Sequence, residues 1–285
     1  MKWRGRRGSR NVVDRRRMGA GRAAGLPVVG VLAVLAVGYF LGVDVTPLLQ
    51  GLEGGQRSTG EQVELTEADR RVGEFVSVTL ADTEVVWTDV FASQVDGAYV
   101  EPQLVLFKGV TQSGCGGASA ATGPFYCPAD RRIYLDTDFF VTMERQLGAG
   151  GDFAAAYVVA HEVAHHVQNL VGTLGQANAR RRQVGERESN AISVRIELQA
   201  DCYAGIWARQ ADRRFDSLEP GDIDEAVNAA RQIGDDALQR RSGRVVQPHT
   251  FTHGTSEQRM RWFERGLDSG RIEDGDTFEV PYESL

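Results

Sequence analysis

The feature that most restricts the fold of this chain is the uncharged stretch LPVVGVLAVLAVGYFLGV, residues 26–43. A helix of about 20 apolar residues spans the hydrocarbon core of a bilayer. A buried core helix is one alternative. A cleavable signal peptide is another, but its apolar region has about 7–15 residues and ends at an A-x-A-like site, and no clean site of that kind follows. We therefore predict an uncleaved single-pass transmembrane helix.

Charge is distributed unevenly around this stretch. Residues 1–25 contain nine Lys or Arg and one acid, a net charge of +8, whereas the remainder contains 23 basic and 38 acidic residues, a net of −15. Basic residues that precede a span stay in the cytoplasm. The pattern therefore predicts a cytoplasmic tail over residues 1–25 and an extracytoplasmic body. The acidic body argues against nucleic acid as a partner.

The body is predicted to be one α+β domain, mostly helical with a small sheet. Residues 44–62 are rich in Gly, Ser, Thr and Gln, which predicts a flexible linker, so the domain covers residues 63–285. QLVLF (103–107) and RIYLD (132–136) are short and bounded by turn residues, as strands are. Helical patterns cover 66–94 as two helices, 137–147, 153–171 with Asp152 as N-cap, 188–211, a stretch from residue 222 and a last stretch after residue 253, where Thr255 and Gln258 have capping-box spacing.

The three cysteines fit an extracytoplasmic domain. Cys115 and Cys127 lie twelve residues apart in a loop rich in Gly and small residues. Outside the cytoplasm we predict a disulfide that closes this loop, with a contribution of about 2–3 kcal/mol. Two free thiols are the alternative, and the absence of a C-x-x-C pair argues against a zinc site by spacing. Cys202 is predicted to be a buried thiol in a helix.

Three of the five histidines lie in AAAYVVAHEVAHHVQNLVG, where His161, Glu162 and His165 form the pattern H-E-x-x-H. Because an α-helix turns about 100° per residue, the two histidines lie on one face, one turn apart. Both imidazoles can reach one Zn²⁺ ion, and Glu162 is placed to act on the attacking water as a general base. Unpaired polar groups would be costly in so apolar a helix, which favours a metal. His166 lies about 100° further round than His165 and is predicted either to support a metal ligand or to be structural.

A zinc enzyme needs a third protein ligand. The pattern H-E-x-x-H-x-x-G-x-x-H fails here, because its last two positions hold Gln168 and Val171. Glu197 and Asp201, in IELQADCYAG, are four residues apart on a predicted helix and share a face. One carboxylate can bind the metal while the other accepts the N–H of a ligating histidine. The set of two histidines and one glutamate favours Glu197 as the ligand and Asp201 as the acceptor, and a solvated acidic face is the alternative.

Several stretches together resemble the gluzincin class of zinc peptidases, and more closely the bacterial, membrane-anchored YpfJ-like neutral zinc metallopeptidase family. The resemblance covers nearly all of the chain and rests on KWRGRRGSRN, QLVLF, SGCGGASAATGPFYCPADRRIYLD, AYVVAHEVAHHVQNL, ELQADCYAGIWA and HGTSEQRMRWF. It implies a zincin-like fold, a polypeptide substrate and one Zn²⁺ per chain on His161, His165 and Glu197, with Glu162 as the base. Ala164 departs from the glycine expected before the second histidine.

Peptide hydrolysis also needs a hydrogen-bond donor to the tetrahedral oxyanion besides the metal. His253, in HGTSEQR before a predicted helix, is our candidate. His249 is its competitor, Tyr203 and Arg259 are further candidates, and a structural loop histidine is the alternative reading of His253. The sequence thus predicts a membrane-anchored zinc endopeptidase. Its rivals are a catalytically silent, membrane-tethered zinc-binding protein and a zinc amidase that acts on cell-wall peptides.

Overall fold

The computed structural model describes residues 1–17, 64–119 and 122–285. The predicted transmembrane helix over residues 26–43 and the predicted linker over residues 44–62 lie outside these ranges. Within them, no helix combines the length and the apolar composition needed to cross a bilayer. The membrane helix therefore stays a prediction.

The described part is mostly helical with a small mixed sheet, which confirms the predicted α+β class. Its strands are β1 (Val12–Asp14), β2 (Gln103–Phe107), β3 (Val110–Ser113), β4 (Gly116–Ser119), β5 (Phe125–Cys127) and β6 (Arg132–Asp136). Its α-helices are α1 (Glu67–Gln94), α2 (Asp138–Leu147), α3 (Asp152–Leu170), α4 (Thr173–Arg181), α5 (Glu186–Phe215), α6 (Asp222–Gln232), α7 (Asp235–Arg241) and α8 (Ser256–Ser269).

The main sheet has the strand order β1-β2-β6-β5. β1 and β6 both run parallel to β2, whereas β5 runs antiparallel to β6. The predicted strand QLVLF is confirmed as β2, and its apolar residues Leu104 and Leu106 lie opposite the equally buried Ile133 and Leu135 of β6. β3 and β4 form a separate antiparallel hairpin. The sequence did not predict β1, β3, β4 or β5, which are three or four residues long.

Helix α3 lies at the centre of the molecule and packs against α5, α6 and α1. Its alanines and valines are buried on nearly all sides. Helix α8 crosses α5 closely, because glycines stand at the crossing. A Cβ added to Gly266 would lie 1.8 Å from the carbonyl oxygen of Cys202, and one added to Gly205 would lie 2.0 Å from that of Phe263. The crossing fixes the position of α8 relative to the histidine helix.

Helix α1 is a single helix, and the prediction of two helices over 66–94 was wrong. No proline interrupts it, and the buried hydroxyl of Thr79 donates to the Phe75 carbonyl at 3.0 Å, inside the same helix. The capping box at Thr255 and Gln258 is confirmed at the start of α8. The predicted N-cap of α3 was wrong by one residue: Gly151, at φ 115°, is the N-cap and Asp152 is the first helical residue.

Residues 1–17 are part of the same folded body. β1 is an edge strand of the main sheet, and the Trp3 ring packs edge-on against Phe75 at 5.4 Å between centroids. The carboxylate of Asp152 accepts a hydrogen bond from the Met1 amino group at 2.6 Å. The sequence predicts a tail over residues 1–25 that is separate from the domain starting at residue 63. The structure instead joins the first 17 residues of that tail to the domain.

Candidate metal centre

The three residues predicted to bind zinc come together in the structure. His161 and His165 lie one turn apart on α3, with ring centroids 4.8 Å apart. Glu197 reaches them from α5: its Oε2 lies 3.1 Å from Nε2 of His161, and its Oε1 lies 3.5 Å from Nε2 of His165. One ligand atom from each of the three residues lies within 4.8 Å of the other two. Two imidazole nitrogens and one carboxylate form the donor set that Zn²⁺ takes in hydrolases.

Asp201 holds the far side of the His161 ring. Its Oδ1 lies 2.9 Å from Nδ1 of His161, as predicted, so that Nδ1 carries the proton and Nε2 faces Glu197. Asp201 is fully buried and accepts two hydrogen bonds from the Arg259 guanidinium, at 2.8 and 2.9 Å. The Tyr157 hydroxyl donates to it at 2.5 Å. This network fixes the tautomer and the orientation of His161.

Gln168 does the same for His165, and the sequence analysis missed it. Its Oε1 lies 2.9 Å from Nδ1 of His165. Its Nε2 donates to the Ile196 carbonyl at 2.7 Å and to Oε1 of Gln199 at 3.1 Å, so it also ties α3 to α5 next to Glu197. The available signal was the spacing, since residues three apart on a helix are neighbours. In the sequence, position 168 stands out only as the place where another zinc pattern has glycine.

Glu162 lies beside the three ligands and is 7% exposed. Its Oε2 is buried and has no hydrogen-bond partner among the described residues. Burial raises the pKa of this carboxyl, although the positive charges of His165 and His161 oppose that shift. A buried carboxylate with an unsatisfied oxygen is costly, so the site fits a polar group that would complete it.

The charges of the ligand residues and of Asp201 shift one another's pKa values strongly. Burial alone would lower the pKa of His161, but the carboxylates of Asp201 and Glu197 outweigh burial and raise this pKa to about 10. Burial would likewise raise the pKa of Glu197, yet the histidines hold it well below its usual range. Both imidazole nitrogens of His161 thus face carboxylate oxygens. A metal ion in place of the Nε2 proton would satisfy Glu197 in the same way, which supports the fit to zinc.

His166 is structural, which is the second of its two predicted roles. It is 1% exposed, and its Nε2 donates to the Val100 carbonyl at 2.6 Å. Its Nδ1 then accepts from the Tyr126 hydroxyl, 3.1 Å away. Burial lowers the pKa of this histidine, so the ring is held neutral between α3 and β5 rather than in the ligand group.

His253 lies close enough to the ligand group for its charge to lower the pKa of Glu197. The next residue, Gly254, lies near α5: a Cβ added to it would be 3.3 Å from the side chains of Val194 and Leu198, which stand on either side of Glu197 in sequence. Asp235 accepts from the His253 backbone N–H at 2.6 Å and contacts Nδ1 of the ring at 3.1 Å. Partial desolvation lowers the pKa of His253, but the carboxylates of Asp235 and Glu197 raise it by more, although half of the side chain is exposed.

The other candidate oxyanion donors are placed differently. Tyr203 packs edge-on against Trp87 at 5.6 Å, in the core. Arg259 is 2% exposed and its guanidinium is bound to Asp201. The backbone carbonyl of His249 accepts from Asn190, in a short 3₁₀ turn. Of the four candidates, His253 best combines a charge interaction with Glu197 and a half-exposed side chain.

The predicted disulfide between Cys115 and Cys127 is present, with the two Cα atoms 5.8 Å apart. It joins the β3–β4 hairpin to β5. Cys202 is a buried free thiol, also as predicted, and burial raises its pKa to about 12. It has the character of a core residue rather than of a ligand or nucleophile.

Two histidines one helical turn apart, a glutamate from a second helix and a buried carboxylate beside them are the arrangement that characterises H-E-x-x-H zinc metallopeptidases as a class. The family described as "Putative neutral zinc metallopeptidase" matches residues 1–278, and the chain belongs to it. It is 44% identical over 289 residues to Uncharacterized protein YpfJ of Escherichia coli (strain K12), a match that covers 98% of this chain and 99% of that protein. It is 42% identical over 224 residues to Uncharacterized protein Rv2575 of Mycobacterium tuberculosis, covering 75% and 73%. No solved structure matches the chain.

Proposed function

We propose that this protein is a membrane-anchored, zinc-dependent endopeptidase with a zincin-like fold that hydrolyses peptide bonds outside the cytoplasmic membrane. The observation that carries the proposal is the convergence of His161, His165 and Glu197 beside the unpaired carboxylate oxygen of Glu162. A structural zinc site is usually closed by four ligands and rich in Cys. Three ligands and a neighbouring base are instead what a hydrolase requires.

When bound by His161, His165 and Glu197, one zinc ion supplies a Lewis acid that polarises the scissile carbonyl and acidifies water. Asp201 and Gln168 accept the two Nδ1 protons and keep both Nε2 atoms directed at Glu197. The burial of both acceptors limits the movement of the rings, so that the ligand geometry is set before the substrate arrives.

Glu162 is the general base. Burial raises its pKa, which makes the carboxylate a better proton acceptor than an exposed glutamate. It takes a proton from the attacking water at Oε2 and delivers it to the leaving amine. His253 donates to the developing oxyanion: Asp235 raises the pKa of the ring and holds Nδ1, which favours the form whose Nε2–H is available to the substrate.

The disulfide between Cys115 and Cys127 supports a location outside the cytoplasm, because disulfides persist in oxidising compartments. The apolar run of residues 26–43 supports a membrane anchor. A catalytically silent zinc-binding protein would have no need for Glu162 at this place. A zinc amidase that acts on cell-wall peptides would use the same site residues and is separated from an endopeptidase by its substrate.

Substitution of Glu162 by Gln tests the proposal, because an amide is isosteric but cannot accept the proton. We expect the full chain with Glu162→Gln to retain about one zinc and its Tm, and to lose nearly all hydrolysis of labelled casein. The wild type is assayed in parallel on casein and on peptidoglycan fragments, with and without chelator. General bases contribute about 10²–10⁴-fold to rate. Activity of Glu162→Gln within about threefold of wild type would therefore remove Glu162 from the mechanism. Cleavage of the fragments alone would favour the amidase.

A further inference from the structure

The N-terminal segment, residues 1–17, completes the edge of the main sheet. Val12–Asp14 pair in parallel with Leu104–Leu106 of β2. The Leu104 N–H donates to the Asn11 carbonyl at 2.9 Å, and the Arg15 N–H donates to the Leu106 carbonyl at 2.7 Å. β2 is buried from Leu104 onwards. Without the N-terminal segment, this apolar strand would present an unpaired edge.

Two buried carboxylates on α1 depend on the same segment. Asp82 and Glu84 are each 3% exposed. Arg6 donates to Oδ1 of Asp82 at 2.6 Å, and Glu84 accepts from the Ser9 hydroxyl and, at 2.8 Å, from Nδ2 of Asn11. Removal of the partner of a buried carboxylate strongly destabilises the folded state, because it leaves an uncompensated buried charge. Among the described residues, the side-chain partners of these two carboxylates all lie in the N-terminal segment, and Oδ2 of Asp82 has no hydrogen-bond partner.

The segment also fits α1 sterically. Trp3 is 8% exposed and packs against this helix. Arg16 is 5% exposed. Its guanidinium lies so close to Gly73 that a Cβ added to this glycine would be 2.5 Å from Nη2 of Arg16. A Cβ on Gly8 would lie 3.4 Å from Cβ of Ser77. Small residues thus stand on each side of the contact where the two backbones approach.

We propose that the N-terminal segment is a permanent strand of the zinc-site domain and lies on the same side of the membrane as that domain. The proposal departs from the cytoplasmic N-terminus that charge asymmetry predicts. It also departs from a single crossing of the membrane by residues 26–43, because one crossing between residue 17 and residue 64 would place the two parts on opposite sides. The prediction from charge counted basic residues as a topology signal. Arg6 and Arg16 instead form ion pairs inside the folded domain, with Asp82 and Asp14 respectively. The proposal is independent of the peptidase activity, because none of these residues is a metal ligand or the base.

A designed disulfide tests the contact in the full chain. Gly8→Cys with Ser77→Cys places two Cβ atoms at 3.4 Å, close to the distance of about 3.5–4.5 Å that a disulfide needs. A protease recognition sequence is inserted between Gly54 and Gly55. Intact cells are oxidised, free thiols are blocked, and the protein is then solubilised and cut. We expect the N-terminal fragment to stay attached on a non-reducing gel and to separate after reduction.

The control pairs Gly8→Cys with Ser93→Cys. Ser93 is an exposed residue on the same helix, about 24 Å further along at 1.5 Å per residue. Fragments of the control should separate without reduction. Release of the fragment from the Gly8–Ser77 pair to the same extent as from the control would overturn the proposal.

The side of the membrane is measured separately with single cysteines. Arg7 and Val245 are exposed, with 65% of the Arg7 side chain and 80% of Val245 accessible. Arg7→Cys and Val245→Cys variants are treated with a membrane-impermeant maleimide before and after lysis, with wild type as the blank. Labelling of both cysteines under the same condition supports the proposal. Labelling of one before lysis and the other only after lysis refutes it.

Discussion

At the scale of the residue, the two zinc-site histidines are oriented by different chemistry. His161 donates to a carboxylate that is itself held by Arg259, whereas His165 is bound by the side-chain amide of Gln168. Both acceptors are fully buried. Each histidine therefore presents Nε2 to Glu197 without choice of tautomer, and the ligand set depends on residues that never touch the metal.

Removal of a ligand should remove the metal. We expect His161→Ala, His165→Ala and Glu197→Ala to reduce the zinc content of the purified full chain from about one per molecule to background, because three protein ligands are the minimum of such a site. Elemental analysis by mass spectrometry measures this. His249→Ala is the control and should keep its zinc. If Glu197→Ala kept its full zinc content while Asp201→Ala or His253→Ala lost zinc, Glu197 would not be the third ligand.

Removal of the oxyanion donor should change rate rather than structure. His253→Ala is expected to lower kcat and kcat/KM together by about 10²–10³-fold, since the interaction exists mainly in the transition state. Zinc content and Tm should stay near wild type, because the His253 side chain is 49% exposed. His249→Ala should have a much smaller effect. A large kinetic loss in His249→Ala alone would exchange the two roles, and a loss of Tm without a kinetic effect would make His253 a structural residue.

At the scale of the element, the close crossing of α5 and α8 holds Arg259 against Asp201. A methyl group on Gly266 would collide with the Cys202 backbone at 1.8 Å, so Gly266→Ala must separate the helices. We expect it to lower the free energy of unfolding by about 1–3 kcal/mol, the usual cost of overpacking. Because α8 carries Arg259, zinc affinity should weaken as well. Denaturant unfolding followed by circular dichroism, and a competition titration with a chelator, measure the two effects.

Gly175 provides the matched control for this substitution. It lies inside α4, and nothing lies within 4 Å of an added Cβ. Gly175→Ala should therefore stabilise the protein by about 0.4–1 kcal/mol through the unfolded state. If Gly266→Ala stabilised the protein as Gly175→Ala does, the crossing would tolerate the added methyl group and the steric argument would be wrong.

At the scale of the whole molecule, the N-terminal segment and α1 are coupled through a group that titrates near neutral pH. Burial raises the pKa of Asp82 to about 6, although the charge of Arg6 opposes the shift. The folded state therefore holds this proton more tightly than the unfolded state. Between about pH 4 and pH 6 this group makes stability fall as the pH rises. Above that range the carboxylate is ionised and depends on Arg6.

Loss of Arg6 should consequently matter more at high pH. We expect Arg6→Met to be clearly destabilising at pH 8, by about 2–3 kcal/mol as a partly buried case of a broken ion pair. The effect should be much smaller at pH 5, where Asp82 is mostly protonated in either protein. Guanidinium unfolding of the full chain at both pH values measures the difference. Lys2→Met, which removes an exposed ion pair with Asp216, is the control and should change little at either pH. An Arg6→Met effect independent of pH would exclude Asp82 as its cause.

Much of the metal centre could be predicted from the sequence, because its rules are local. The turn of a helix places His161 and His165 on one face, and the same rule pairs Glu197 with Asp201. The apolar residues around the motif predict burial, and the cap at Thr255 predicts where α8 begins. The disulfide between Cys115 and Cys127 followed from loop composition and expected compartment. These features depend on spacing within one segment and survive any arrangement of the segments in space.

Contacts between distant segments were decided only by the tertiary structure. Gln168 became a partner of His165 because α5 supplies the Ile196 carbonyl that fixes its amide, and Arg259 became a partner of Asp201 because two glycines let α8 approach α5. The first 17 residues have the charge pattern of a tail that sets membrane topology. The local sequence does not distinguish an arginine that stays near a membrane surface from one that pairs with Asp82. The physical reason is that a charge acquires its role from the partner that desolvates with it, and that partner lies 76 residues away.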